Sequence, residues 1–179
     1  MNPAYTLRLI PTQSQLQEIF DYRSGHLIYK TGRHAGKRAG SFQPNGRRTV
    51  FVLGNNHSEH RIVWVLLNGP IPDGLEPDHE DRCPGNNTIS NLRLATHAEN
   101  TRNRGKRTTD TSSRYKGVSM HKPTGAWQAY VTFENKTKHL GYFSNQEDAA
   151  TAYNFAAAKL HGEFASLNVV TQPWLESAI

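Results

Sequence analysis

Cysteine is nearly absent: Cys83 is the single one among 179 residues. That excludes a disulfide within the chain and any zinc site built on several thiolates, and it suits a reducing compartment. Long apolar runs are missing too. Nothing approaches the ~20 consecutive apolar residues of a membrane helix. The opening "MNPAYTLRLIPTQ" lacks a charged start followed by an apolar stretch, so no signal peptide is expected. Apolar residues make up only 36%, below the usual globular share, which favours two compact sub-cores over one large one. Acidic charge is the scarcer sign, and the chain carries a formal +6. The excess is local: residues 1–100 are net +2, residues 115–168 net +1, and "TRNRGKRTTDTSSR" at 101–114 is net +4. Such a connector can neutralise phosphates without reading bases; the plainer reading is a solubilising linker.

What is present falls into two stretches. In the first, "GHLIYK" reads as a short strand after the polar turn "DYRSG". "FQPNGRRTVFVLGNN" carries Asn45-Gly46 followed by alternating apolar residues, a hairpin signal. "SEHRIVWVLLNGP" is expected to be a helix capped by Ser58, with Ile62, Val63, Val65 and Leu66 as its apolar side and a stop at Gly69-Pro70. "PDHEDRCPGNNTISNLRLA" has turn chemistry in its middle, flanked by short extended segments. "THAEN" pairs Thr96 with Glu99 as a capping box, so a short helix is expected from Thr96 towards Arg104. The order is strand, loop, strand, helix.

Residues 76–100 carry the chemistry. Hydrolysis of a phosphodiester needs an activated water and something to hold negative charge on the phosphate and the leaving oxygen. An imidazole of near-neutral pKa can do the first. One hard divalent ion, which takes few protein oxygens and keeps its waters, can do the second. Asp78 and His79 are adjacent on an extended segment and so point to opposite sides. Asn91 follows His79 by twelve residues, and Asn100 lies in the first turn of the expected helix. Cys83 and His79 alone supply too few ligands for zinc. His60 is expected to pack on this unit or touch phosphate, and His97 to face solvent.

The string "DH" at 78–79, "NN" at 86–87, "NLR" at 91–93 and "EN" at 99–100 resembles the HNH (ββα-metal) nuclease motif, in its phage and intron-encoded homing endonuclease form. "HRIVWVLLNGPIPDG" before it fits the same branch. The resemblance implies that His79 is the general base, that Asn91 braces the loop and orients the imidazole, and that Asp78 and Asn100 hold one divalent ion, magnesium or alternatively manganese. It implies 5′-phosphate and 3′-hydroxyl ends. The pattern commonly reads "DHIDG" or "DHING"; here it is "DHEDR", with Arg82 at the glycine position.

In the second stretch, "KGVSM", "AWQAYVTF" and "KHLGYF" read as three strands. Trp127, Ala129, Val131 and Phe133 alternate with Gln128, Tyr130 and Thr132, so one face is apolar. "SNQE" suggests a capping box of Ser144 with Glu147, followed by a helix whose Ala149, Ala152, Tyr153, Ala156 and Leu160 lie over the Trp127 face until Gly162. "YKGV", "LGYF" and "EDAATAYNFAAAKLHG" resemble the Apetala/ethylene-response-factor (ERF) DNA-binding domain. That resemblance implies strand readout of double-stranded DNA through Lys116, Ser119, His121, Tyr130, Thr132 and His139; from the charge of the connector, Arg102, Arg104, Lys106 and Arg107 are expected on phosphate.

The expectation is an α+β chain. N-terminal β-hairpins and an HNH ββα unit occupy 14–104 and a basic linker 105–114. A three-stranded antiparallel sheet packed on one helix occupies 115–168, and a tail 169–179. The function expected is a single-metal DNA endonuclease, phage-encoded and acting in the bacterial host's cytoplasm; a monomer would nick and a homodimer could cut both strands. The rivals are a DNA-binding regulator with an inactive nuclease remnant and a packaging-associated phage protein.

Overall fold

The computed structural model describes residues 10–106 and 112–171, so Arg107 lies outside the described residues. The chain is a mixed α and β protein that divides into two compact units, Met1–Ala98 and Glu99–Ile179.

The first unit opens with a short helix, α1 (Gln13–Ile19), that the sequence reading did not anticipate. Its start is a local device: the Thr12 side chain accepts from the Gln15 N–H while the Gln15 side chain accepts from the Thr12 N–H. β1 (Phe20–Arg23) and β2 (His26–Tyr29) form a hairpin turned through Ser24 and Gly25, both at positive φ. β3 (Ser41–Phe42) and β4 (Arg48–Val52) flank the expected Asn45-Gly46 turn, with Phe42 opposite Arg48. The residues after them form a further strand, β5 (Asn55–Ser58), reached through a Leu53-Gly54 turn at positive φ. The expected helix follows directly as α2 (Glu59–Asn68), with Ser58 at its cap position as expected but without a side-chain cap bond. Gly69, at φ 85, ends it as expected.

Ile62, Val63, Val65 and Leu66 are all buried, against Leu16, Phe20, Leu27 and Val50. Each such side chain contributes roughly 1.5–3 kcal/mol by leaving water, and together they hold α2 against the strands. β6 (Leu75–His79) and β7 (Leu92–Thr96) pair antiparallel, with Asp78 opposite Arg93 and His79 opposite Leu92. α3 (His97–Asn103) follows, so the strand, loop, strand, helix order is present. Its helical residues begin at His97, because Thr96 is still the last residue of β7.

In the second unit β8 (Val118–His121), β9 (Ala126–Phe133) and β10 (Lys136–Phe143) form an antiparallel sheet with β9 central. α4 (Gln146–His161) lies on one face, its Ala149, Ala150, Tyr153 and Ala157 buried with Val118, Ala129 and Val131. The small alanines let helix and sheet approach closely, and Trp127 joins this apolar face. The cap of α4 is Asn145, whose side chain accepts from the Asp148 N–H at 2.7 Å, not Ser144. Asn outranks most side chains at this position. Gly117 shows how tight the closure is. A Cβ there would run into the Tyr153 ring and lie 2.7 Å from the Tyr130 carbonyl, and its φ is +72. Gly117→Ala is expected to destabilise the second unit by about 2–4 kcal/mol, read as a lower midpoint in urea denaturation.

Candidate active site

β6 ends in Asp78 and His79, and both are buried. The loop that follows, "EDRCPGNNT", could not hold its acids and the imidazole in place by backbone pairing alone, and side-chain amides do the bracing. Asn91 Oδ1 accepts from the Asp81 N–H at 3.1 Å, and its Nδ2 donates to Asp81 Oδ1 and to the Asn86 carbonyl, each at 2.9 Å. Glu80 N–H donates to the Asn91 carbonyl at 2.9 Å. Asn91 therefore braces the loop. It is not the residue that meets the imidazole: Asn87 is, with Oδ1 2.8 Å from His79 Nε2. The reason is reach. The Asn91 amide is already committed at both ends to the loop, while Asn87 is turned inward and buried.

Behind Asn87 stands Glu59, fully buried at the start of α2. Asn87 Nδ2 donates to Glu59 Oε2 at 2.8 Å. Glu59 also accepts from the Leu27 N–H and from Arg38 Nη2, each at 3.4 Å, and Arg48 Nε lies 3.9 Å away. Neither Glu59 nor Asn87 had an assigned role in the sequence reading. The "NN" at 86–87 was a visible signal; Glu59 gave none, since an acid in a helix's first turn is ordinarily a solvated dipole partner. The loop is further clasped by Tyr22, whose hydroxyl accepts from the Ile89 N–H at 2.9 Å.

Burial first of all lowers the His79 pKa below its ordinary 6.5; Arg47 acts the same way, while the Asn87 bond, Asp78 and Asp81 oppose it. Slight burial raises the Asp81 pKa, but hydrogen bonds from Asn86, the Cys83 N–H and Asn91 outweigh it, and the net shift is downward. Arg82, at the position where the nuclease pattern carries glycine, has φ 63. The loop thus keeps the glycine-like backbone at a cost of roughly 1–2 kcal/mol.

Asp78 offers a hard, anionic oxygen; Arg93 Nη2 lies 3.8 Å from its Oδ2. No cluster of three or more His, Cys, Asp or Glu suited to a metal occurs among the described residues. A hydrated magnesium-type ion needs only one or two protein oxygens, so this donor chemistry fits such an ion and not a ligand-rich zinc centre. Asn100 lies on α3, half-buried, in the second unit's share of the chain.

In the second unit Ser119, His121, Tyr130, Thr132 and His139 lie on the sheet face away from α4. Gln128 shares it, as the alternation predicts, and Tyr142 joins it unanticipated, because the bulge at His139/Gly141 shifts an alternation that would otherwise have turned it towards α4. Tyr142 contacts the rings of both His121 and His139, at 5.0 and 4.7 Å. Lys116 is different: it precedes β8, and its ammonium donates to the carbonyls of Arg102 and Arg104 at 2.7 and 2.6 Å. Lys106 donates to the Tyr115 carbonyl at 2.7 Å, and the Arg102 guanidinium lies 5.2 Å over the Phe133 ring. Arg104 is exposed.

His60, on α2, has its ring 5.0 Å from the His79 ring and tilted 59° to it. Burial, with help from His79, Arg47 and Arg61, pushes its pKa down to about 3 from 6.5. His97 is exposed, 3.4 Å from Glu76. The His60 shift has a definite sign. As pH falls below 6.5 the unfolded chain binds a proton that the folded chain refuses until about 3, so folding stability is lost across that window. The slope from one such group is at most ~1.4 kcal/mol per pH unit. His60→Phe should flatten the decline of melting temperature between pH 6.5 and 4, measured by differential scanning calorimetry; an unaltered decline would show that His60 is not the titrating group.

Residues 59–102 match the family model described as HNH endonuclease. An uncharacterised HNH endonuclease of Acanthamoeba polyphaga mimivirus is 38% identical over 112 residues, covering 62% of this chain but only 57% of the mimivirus protein. Protein 3.8 of Escherichia phage T7 is 39% identical over 106 residues, covering 59% of this chain and 86% of the phage protein. An AP2-like ethylene-responsive transcription factor of Arabidopsis thaliana is 47% identical over 62 residues, which is 34% of this chain and 10% of the plant protein. Among solved structures, the HNH homing endonuclease I-HmuI, whose structure describes DNA binding and cleavage, aligns over 77% of this chain and 82% of its own, with 18% identity and a TM-score of 0.38. The chain belongs to the HNH endonuclease family.

Proposed function

We propose that the protein is a DNA endonuclease that hydrolyses phosphodiester bonds with His79 as general base and with one divalent ion held through Asp78. The observation that carries the reading is the buried imidazole of His79, next to a buried carboxylate and hydrogen-bonded at Nε2 within the stretch matched by the family model. His79 takes a proton from water; the water oxygen bonds to phosphorus; the bond to the 3′ oxygen breaks, and that oxygen takes a proton from solvent. When bound, the divalent ion supplies positive charge beside the phosphate and the departing oxygen. Asn91 and Asp81 keep the loop in shape, and Asn87 holds the imidazole.

The second unit, in this reading, is an ERF-like module that positions the enzyme on double-stranded DNA. Its support is the 47% identity to the plant factor over 62 residues and a polar sheet face bearing Ser119, His121, Tyr130, Thr132 and His139. That face carries imidazoles, hydroxyls and phenols rather than guanidinium groups, so it suits hydrogen bonding and stacking more than charge. Phosphate contact falls to the chain around Arg102, Arg104, Lys106 and Arg107.

Plasmid DNA incubated with magnesium or manganese should be nicked or cut, leaving 5′-phosphates. His79→Ala should lose on the order of 10²–10⁴-fold in rate, and Asp78→Ala should lose cleavage while DNA binding by mobility shift persists. Wild-type protein that binds DNA and cuts with no divalent ion would leave the regulator with an inactive nuclease remnant. Replacing Arg102, Arg104, Lys106 and Arg107 by Ala should flatten the dependence of log binding constant on log salt, at roughly 0.9 per lost phosphate contact. An unchanged slope would remove these residues from the interface.

A further inference from the structure

An asparagine beside a histidine settles nothing by itself, because its amide can turn either end to the ring. Here one end is already taken. Asn87 Nδ2 lies 2.8 Å from Glu59 Oε2, and a carboxylate only accepts. Arg38 Nη2 and Arg48 Nε lie 3.4 and 3.9 Å from the same oxygen, so cations face it beside the amide. A flipped amide would set Asn87 Oδ1 against Glu59 Oε2, two acceptors at hydrogen-bond distance with no proton between them. With Nδ2 on Glu59, Oδ1 must be the atom 2.8 Å from His79 Nε2, and that contact is a hydrogen bond only when Nε2 carries the proton. The neutral ring then has its lone pair on Nδ1.

We propose that Glu59 is a positioning residue: acting through Asn87, it fixes the tautomer of His79 and so selects Nδ1 as the nitrogen that accepts the proton from water. The assignment deepens the nuclease reading and its catalytic consequence rests on it; the tautomer itself does not. Glu59 touches neither water nor phosphate in this account. Its role is to make the orientation of one buried amide unambiguous. The Leu27 N–H on its other oxygen holds the carboxylate so that Oε2 faces Asn87.

Long-range proton–nitrogen NMR of the His79 imidazole at neutral pH reads the tautomer directly, in full-length protein without DNA. Wild type should carry the proton on Nε2; a proton on Nδ1 overturns the proposal. Glu59→Met removes the acceptor and frees the amide, so the ring should shift towards the Nδ1–H form and cleavage should fall on the order of 10–100-fold, with DNA affinity unchanged. The double variant Glu59→Met with Asn87→Asp places the carboxylate one step nearer the ring. The relocated carboxylate cannot present a donor, and its charge stands in for Glu59 beside Arg38 and Arg48, so both the Nε2 proton and cleavage should return. A structural role alone predicts no such rescue. Unchanged tautomer in Glu59→Met, or no rescue in a folded double variant, overturns the proposal. Where Glu59→Met fails to fold, the wild-type spectrum still decides. Tautomers that follow the expected pattern with no cutting by any variant would uphold Glu59 and sink the nuclease reading instead.

Discussion

A single buried anion ties the first unit together. Glu59 has no exposure, and a carboxylate in that setting is tolerable only with its charge matched and its lone pairs filled. The matching groups come from four places. Leu27 is on β2, Arg38 follows it, Arg48 is on β4 and Asn87 is in the long loop. Because an unpaired buried charge costs several kcal/mol, each of these segments is held to one arrangement around α2. Apolar burial alone would not achieve this. The core is a short list of Leu, Ile, Val and Phe, and its sheets have two or three strands. Such a core sets which faces meet but tolerates sliding; the charge does not.

The second unit solves the same problem differently. Its sheet is larger, its helix is lined with alanine, and the two approach until Gly117 has no room for a side chain. Polar ties are peripheral: the Asn168 side chain bonds the Lys116 backbone, the Asn154 side chain bonds the Asn168 backbone, and Asn145 caps α4. The face opposite α4 is therefore relieved of any structural duty. Its residues can vary without loss of fold, which is the condition under which a scaffold takes on a recognition surface. Lys116, just before β8, takes no part in that face. Lys116 satisfies the carbonyls left open after α3, a task set by helix termination.

Local signals were legible in the sequence, and contacts between distant residues were not. The Asn45-Gly46 turn, the apolar stripe and glycine stop of α2, and the three strands and alanine helix of the second unit are all properties of a window of residues. They stand where expected. β5 was missed because "NNHS" has no apolar alternation; it pairs because β4 and its tight turn offer a partner. At α4, the Ser144 capping pattern lost to Asn145, a competition one residue wide. In the site, the identities and spacings of Asp78, His79 and Asn91 were readable. The exchange of duties between Asn87 and Asn91 was not, since it depends on which amide faces inward. Glu59 could not be read at all: its partners lie 11 to 32 residues away in the chain.

Register gives the loop bracing its purpose. β6 and β7 pair over only five residues, and successive side chains on a strand point to opposite faces. A slip of one residue would put His79 where Asp78 stands and turn the imidazole away from Asn87. Apolar burial resists this only in part: Pro77 and Leu92 are buried, while Leu75 and Leu94 are half-buried. The loop resists it strongly: the Glu80 and Asp81 N–H groups and the Asp81 carboxylate all bond to Asn91, the residue just before β7. These bonds begin one residue past His79 and end one residue before Leu92, its partner in the pairing. They act where the slip would have to start. The arrangement also explains how the loop tolerates Arg82 at a left-handed position. Once Asn91 fixes both ends of the turn, the path between them is set by closure, and an arginine must adopt the conformation a glycine would have chosen.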